Sequence, residues 1–228
     1  MNTKLSQSLS KASEAYADKT ALRALIQVIP YVGGSIDTLF AGKGIKLQNE
    51  RLEHLIKELQ EQFSTLQALP AYNEEEFLDL VIRAMECAVR TRAKEKRAAY
   101  AAIVAKHVAD SKNIEESEVA LRIVSELDLV HFNVLHKALS VPLSEEPFKG
   151  LRAFSVSSKS PDEGDLPSLQ QLLPQYSVNM LRSACSELLS KGLLHDEGIG
   201  RWDMGAMEIF IPTETADWLQ SWLVHSKP

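Results

Sequence analysis

Residues Leu166 to Leu194 read LPSLQQLLPQYSVNMLRSACSELLSKGLL, and their pattern predicts the central elements of the C-terminal part. A short apolar segment is followed by a turn at Pro174 to Tyr176, and Ser177 then stands where a helix N-cap prefers a hydroxyl side chain. Apolar residues recur after it at helical spacing: Met180, Leu181, Ala184, Leu188 and Leu189. Gly192 ends this pattern. The stretch therefore predicts two helices joined by a tight turn.

Further elements are predicted on both sides of these two helices. Downstream, the chain continues with LLHDE, a glycine-rich loop GIGRWDMG and the alternating segment MEIFI, which predicts two strands. Thr213 then caps a final helix. Upstream, residues 128–139 predict a helix that Asp128 caps, and a loop region rich in proline and serine at 140–167 contains one short candidate strand, LRAFSVS. The C-terminal part is thus expected to combine helices with a small β-hairpin.

This order of elements resembles the winged-helix domain, in which a helix-turn-helix is followed by a two-stranded wing. The resemblance covers Asp128 to Leu223, and the residues that carry it are LPSLQQLLPQYSVNMLRSACSELLSKGLL and the hairpin LHDEGIGRWDMGAMEIFI, joined at Lys191 to Leu194. In winged-helix proteins that bind DNA, the second helix of the turn motif enters the major groove. The resemblance therefore implies candidate DNA contacts on the helix from Ser177 to Lys191 and on the wing: Asn179, Arg182, Ser183, Lys191 and Arg201.

The charge of the C-terminal part argues against DNA as its partner. Residues 121–228 hold 9 basic and 14 acidic side chains, and Arg201 is flanked by Asp196, Glu197 and Asp203. These carboxylates repel a phosphate backbone. Because a fold does not fix a function, we predict that this domain makes protein contacts, and we keep a DNA-binding transcriptional regulator as the alternative.

The chain is expected to be mainly α, with an N-terminal antiparallel helical domain of residues 1–120 and a C-terminal winged-helix-like domain of residues 121–228. The clearest helical signal is an amphipathic helix at 45–66, whose apolar face is Leu52, Leu55, Ile56, Leu59, Phe63 and Leu66. A second copy of the chain would pair with this face to form a dimer. The predicted protein contacts are therefore Leu52, Leu55, Leu59 and Phe63, together with Trp202 in the wing.

One basic stretch, residues 88–113, holds 7 basic and 2 acidic side chains. Two interpretations are open for its cations, Arg90, Arg92, Lys94, Lys96 and Arg97. They bind phosphates of nucleic acid or anionic lipid, or they form a solvated helix face with pairs such as Glu86 and Arg90. We favour the solvated face. The apolar pattern fades at Arg90 to Arg97, so either one long helix passes through this stretch or two helices meet there.

The most apolar segment is 21–41, ALRALIQVIPYVGGSIDTLFA. Arg23, Asp37 and a break at Pro30 argue against a simple transmembrane helix and favour a broken amphipathic hairpin in a helical core. Membrane interaction through 21–41 stays as a further alternative. The N-terminal residues carry no apolar run typical of a secretory signal, so we expect a cytoplasmic protein. The phrases IPYVGGSIDTLFAGKG and RTRAKEKR resemble helical regions of uncharacterised bacterial proteins and imply no activity.

The sequence offers no catalytic, metal-binding or cofactor-binding motif. Its 228 residues are 45% hydrophobic and 25% charged, ordinary values that exclude disorder of the whole chain. Gly42-Lys43-Gly44 lacks the spacing of a phosphate-binding loop, and the six histidines do not pair at metal-ligand spacing. Cys87 and Cys185 each lie on an apolar helix face, where a buried structural thiol is expected. We therefore expect a non-catalytic binding protein, with another protein or a second copy as its partner and double-stranded DNA as the alternative.

Overall fold

The structure, a computed structural model, describes residues 43–64, 73–110, 113–145, 148–157, 166–198 and 206–223. It divides into two units at Ser125 and Glu126, and Trp222 belongs again to the first. We call the described residues up to Ser125 the helical unit and Glu126–Ser221 the C-terminal unit. The boundary predicted after residue 120 lies in the same helix. The predicted broken hairpin at 21–41 lies outside the described residues.

The described chain is mainly α, with eight helices and a small three-stranded antiparallel sheet near the C-terminus. The helical unit contains α1 (Lys43–Ser64), α2 (Glu74–Arg90), α3 (Lys94–Ala109) and α4 (Ile114–Glu126). The elements that follow are α5 (Leu129–Ser140), β1 (Phe154–Ser155), α6 (Leu169–Leu172), α7 (Val178–Ser190), β2 (Leu194–Asp196), β3 (Ile209–Pro212) and α8 (Glu214–Leu223). The sheet adds β1 to the predicted hairpin, in the order β1-β3-β2.

The apolar face of α1 is buried inside the helical unit. Leu55 and Leu59 are fully buried, and Leu52 and Phe63 are 6% and 2% exposed. α1 packs against α2 and against α3, and α3 is lined with alanines, which let neighbouring helices approach closely. The chain's own helices therefore cover these four residues, whereas the prediction of a dimer needs this face to be exposed.

Two helices meet in the basic stretch, with a three-residue break at Thr91, Arg92 and Ala93 between α2 and α3. The Thr91 hydroxyl donates to the carbonyl of Cys87 at 2.8 Å. Since its only proton is used there, the Tyr100 hydroxyl is the donor in the 3.0 Å contact between Tyr100 and Thr91. Burial raises the pKa of Tyr100 to about 12. The break is thus fixed by its own Thr91 side chain and by Tyr100 of α3.

Two arginines satisfy carbonyls at the C-terminal end of α2, where the break leaves them without helical partners. Arg97 donates from Nη1 to the carbonyls of Thr91 and Arg92, at 2.8 and 3.1 Å. Arg51 of α1 donates to the carbonyl of Val89 at 2.6 Å. Cations at this end also stabilise the helix dipole. The guanidinium groups therefore join α1, α2 and α3 at one point.

The basic stretch is only partly a solvated face. Arg90, Arg92 and Lys94 are exposed, but Lys96 and Arg97 are 8% and 5% exposed. Lys96 donates from Nζ to the carbonyl of Ser125 in α4, at 2.9 Å. Lys96 and Arg97 are therefore occupied inside the helical unit, which corrects both their proposed role at phosphates and their place on a solvated face.

We expect Arg97→Gln to lower the free energy of unfolding of the helical unit by about 2 to 4 kcal/mol, because the two part-buried carbonyls lose charge-assisted hydrogen bonds. Urea unfolding followed by circular dichroism measures this change. Arg92→Gln, five residues away at an exposed side chain, is the matched control and should change stability by about 0.5 kcal/mol or less. Equal losses for the two variants would contradict the capping role of Arg97.

Local caps define α7 as the sequence predicts. The Ser177 hydroxyl accepts the backbone N–H of Met180 at 3.3 Å. At the other end, Gly192 has a φ of +71°, a conformation that favours glycine. The N–H of Gly192 donates to the carbonyl of Leu189, and that of Leu193 to the carbonyl of Leu188, both at 2.9 Å. This is a Schellman motif, and it directs the chain from α7 into β2.

The core of the C-terminal unit combines buried residues of the three strands with buried residues of the helices. β3 pairs with β1 through Phe154 and Phe210, whose rings stack with centroids 6.1 Å apart. It pairs with β2 through His195 and Ile211. The predicted strands are confirmed, and β1 lies inside the predicted segment LRAFSVS.

A buried carboxylate fixes the base of the hairpin that joins β2 and β3. Asp196 is 1% exposed, and its two oxygens accept the backbone N–H groups of Gly198 at 2.9 Å and of Met207 at 2.8 Å. Met207 has a φ of +66°, an uncommon conformation for a side chain other than glycine. Asp196 therefore holds a strained residue in place.

We expect Asp196→Ala to destabilise the C-terminal unit by about 2 to 4 kcal/mol, because two amides lose a charged acceptor. Hydrogen exchange provides the local readout, since the amides of Gly198 and Met207 should exchange faster than in the wild type. Glu208→Ala removes an exposed carboxylate nearby and should leave both amides protected. Unchanged exchange in Asp196→Ala would show that the carboxylate does not hold the hairpin.

Candidate functional site

The exposed side of α7 is uncharged over its first two turns and a half. Asn179, Met180, Ser183 and Ser186 are all exposed, and Met180 is 47% exposed. Leu181, Ala184, Cys185 and Leu188 face inward. We call Asn179, Met180, Ser183 and Ser186 the α7 outer face. It offers hydrogen-bonding groups and one large apolar side chain.

Charged side chains near the end of α7 are held by residues of the same unit. The Glu187 carboxylate lies 3.1 Å from Nε2 of His131 in α5. Lys191, the C-cap residue of α7, donates from Nζ to the carboxylate of Glu126. Arg182 is the remaining cation of α7. It is half-buried and has no ion pair within the described residues. The outer face therefore carries little positive charge.

His131 connects the start of α5 to α7. Its Nδ1 accepts the backbone N–H of Asp128 at 2.8 Å, so the neutral ring carries its proton on Nε2. That Nε2 faces Glu187. Nearby, Asn133 donates from Nδ2 to the hydroxyl of Tyr176 at 2.8 Å, which ties α5 to the turn before α7. Two polar contacts thus position α7 on α5.

Large apolar side chains are exposed mainly in the C-terminal unit. Besides Met180, they are Leu129, Leu143, Leu151 and Leu172. Leu172 ends α6, which packs against α7. Leu143 is the most exposed of them, at 64%. Exposed apolar side chains, of which Leu172 lies on a helix packed against α7, favour contact with another protein over contact with a polyanion.

The residues predicted for DNA binding lie in three different situations. Asn179, Arg182, Ser183 and Lys191 are on α7 or at its C-cap, and Lys191 is ion-paired. Arg90, Arg92 and Lys94 belong to the helical unit and remain candidates by exposure alone. Arg201 and Trp202, together with the membrane candidate 21–41, lie outside the described residues.

Sequence reasoning missed the exposure of Met180 and the pairing of His131 with Glu187. Met180 is adjacent to Leu181 and four residues before Ala184, so its spacing fits the buried face as well as the exposed one. The His131 and Glu187 pair joins two helices that are distant in sequence, and no local pattern indicates it. Only the packing of α5 on α7 reveals these features.

The buried reactive groups are poorly suited to nucleophilic chemistry. Burial raises the pKa of the Cys185 thiol to about 12, and it also raises the pKa of Cys87. A thiol is nucleophilic as the thiolate, so both are weak nucleophiles near neutral pH. Cys185 is buried as predicted, whereas Cys87 is only half-buried. No group of three or more histidine, cysteine or acidic side chains within the described ranges is arranged to hold a metal ion.

The chain matches no protein-family model, no curated protein and no solved structure. Within the part of the chain that the structure describes, every helix is too short or too polar to cross a membrane.

The buried imidazole of His107 makes the stability of the helical unit depend on pH. Its Nδ1 lies 2.9 Å from the Ser117 hydroxyl, which donates to the carbonyl of Asn113, so Nδ1–H donates to Ser117. Burial lowers the pKa of His107 below its ordinary value near 6.5. Burial, followed by Arg97, also lowers the pKa of His54. The unfolded chain therefore binds more protons than the fold below about pH 6.5.

We expect the helical unit to be fully stable above about pH 7 and to lose stability as the pH falls below about 6.5, toward the lowered pKa values. Urea midpoints at several pH values measure this loss. His107→Asn keeps a donor near the Nδ1 position and should reduce the pH slope, with His54 accounting for the remainder. His136→Asn, at an exposed position in the C-terminal unit, should leave the slope unchanged. An identical slope in His107→Asn would contradict this assignment.

Proposed function

We propose that this protein is a non-catalytic binding protein whose C-terminal unit is a winged-helix-like domain that contacts another protein through the α7 outer face. The fold part of the proposal is supported by the order of elements, in which α6, the turn and α7 are followed by the hairpin of β2 and β3. This is the order of a helix-turn-helix and its wing. In this interpretation α7 corresponds to the helix that DNA-binding winged-helix proteins insert into the major groove.

One observation carries the functional part: the outer face of the helix that would read DNA is neutral. A DNA-binding surface needs cations to neutralise phosphates. Here Lys191 is paired with Glu126, and Glu187 adds a carboxylate to the end of the helix. Residues 126–221 hold 7 basic and 14 acidic side chains, a net charge of −7. The same face suits a protein partner, because methionine is enriched at interface cores and charged residues are depleted there.

A DNA-binding regulator is the second candidate, and the observation in its favour is the position of two side chains. Asn179 is exposed and Arg182 is half-exposed on the same helix. Both side-chain types form paired hydrogen bonds with base edges in the major groove. The acidic charge of the unit works against this candidate.

A photo-crosslinking residue at Ser183 in the full chain tests the proposal in cells of the source organism. We expect a discrete protein adduct that Met180→Asp abolishes, because a charge on the outer face disfavours a desolvated contact. The same crosslinker at Thr215, an exposed position on α8, and the variant Thr215→Asp are the matched controls. The adduct's mass separates a second 25.4 kDa copy from a different protein. Adducts that form equally from Thr215, or none from Ser183, would contradict the proposal.

A salt titration with random duplex DNA separates the two candidates. The protein-binding proposal predicts no measurable binding by fluorescence anisotropy even at about 50 mM salt, where phosphate contacts are strongest. The regulator predicts binding that falls steeply between about 50 and 200 mM salt and weakens in Arg182→Gln. This second result would overturn the preference for a protein partner.

A further inference from the structure

An open cleft of about 380 Å³ lies between α2 and α4 in the helical unit. Its volume is within the range of roughly 300 to 1,000 Å³ that is usual for small-molecule sites. The side chains that line it come from these two helices: Arg83, Glu86, Cys87, Glu118, Val119, Leu121, Arg122 and Ser125. The α7 outer face has no part in it, so the cleft is a second and separate surface.

Two oppositely charged side chains line this cleft without a partner. Arg83 and Glu118 form an ion pair across the helices, with Nη2 and Oε1 3.0 Å apart. Glu86 on α2 and Arg122 on α4 also face the cleft, but their side chains make no ion pair or hydrogen bond within the described residues. A ligand that brings both an ammonium group and a carboxylate would satisfy the two charges at once.

Apart from these two side chains and the ion pair of Arg83 and Glu118, the lining of the cleft is uncharged and partly apolar. Leu121 is 3% exposed and Val119 is 36% exposed. Burial raises the pKa of the Cys87 thiol, so the thiol is neutral near pH 7. The carbonyl of Ser125 is already occupied by Lys96. A short aliphatic group fits such a surface better than a second charged group.

We propose that this cleft binds a free α-amino acid with an aliphatic side chain. The ammonium group contacts Glu86, the carboxylate contacts Arg122, and the side chain packs on Leu121 and Val119. The binding site is independent of the proposed function, because it uses different residues in a different unit.

Titration of L-leucine into the full chain, followed by amide NMR, tests this site. We expect saturable shifts at Cys87, Leu121 and Ser125. Two matched probes each lack one charge: 4-methylpentanoate has no ammonium group, and isoamylamine has no carboxylate. Each should bind about tenfold more weakly or worse, the factor expected when one charge-assisted hydrogen bond is lost. Equal binding of either probe would overturn the proposal.

Single substitutions test the two proposed contacts, that of the ammonium group with Glu86 and that of the carboxylate with Arg122. Glu86→Gln and Arg122→Gln should each raise the Kd for L-leucine about tenfold, for the same reason. Glu116→Gln, at an exposed position on α4 outside the cleft, should leave the Kd unchanged. All three changes are at exposed side chains, and the amide spectra verify that the fold is retained. A Kd that is unaffected by Glu86→Gln and Arg122→Gln would overturn the assignment.

The two cysteines provide an independent readout. L-leucine should slow the alkylation of Cys87 by iodoacetamide, because Cys87 lines the cleft. Cys185, which is fully buried in the C-terminal unit, is the internal control for unfolding. An open site of this kind is expected to have a Kd of about 1 mM. If about 10 mM L-leucine neither slows alkylation nor shifts the amides, the cleft is not an amino-acid site.

Discussion

The helical unit depends on how the carbonyls at the end of α2 are satisfied. A chain that breaks a helix in a buried place leaves polar groups that cost free energy unless they find partners. Here the break is only three residues long, and Arg97 and Arg51 supply the donors. The same contacts set the positions of α1 and α3 relative to α2. The basic charge of this stretch is therefore partly a structural requirement of the fold.

This constraint changes the functional meaning of the charge pattern. A run of basic residues indicates a polyanion site only when its side chains are available to solvent. Lys96 and Arg97 are occupied by backbone carbonyls. In the C-terminal unit, Lys191 is occupied by Glu126. Lys96, Arg97 and Lys191 are thus engaged within the protein, and the α7 outer face itself carries no charge. The proposed amino-acid cleft rests on two charged side chains that remain unpaired, Glu86 and Arg122. The proposed protein contact rests on the lack of charge on the α7 outer face.

Local features of the fold were predictable because their causes are local. Ser177 and Gly192 define the two ends of α7 through contacts within a few residues, and the structure confirms both predicted ends. The alternating pattern of MEIFI predicts β3 for the same reason. The fading apolar pattern around Thr91 fits one long helix as well as two helices, so the sequence does not predict the break. The Thr91 hydroxyl stabilises the break, because it hydrogen-bonds the carbonyl of Cys87 and the hydroxyl of Tyr100. Tyr100 lies nine residues after Thr91, beyond the range of a local pattern.

The residues alone predict the mainly α composition, the two ends of α7 and the acidic charge of the C-terminal part. Those properties follow from residue type and from spacing over one or two helical turns. Three further features follow from the packing of the helices: the leucine face of α1 is covered, Arg97 is buried, and Glu86 and Arg122 line one cleft. An amphipathic pattern shows that a face must be covered, but it does not show by what. The pairing of distant residues depends on how the helices pack, and local sequence carries no record of that packing.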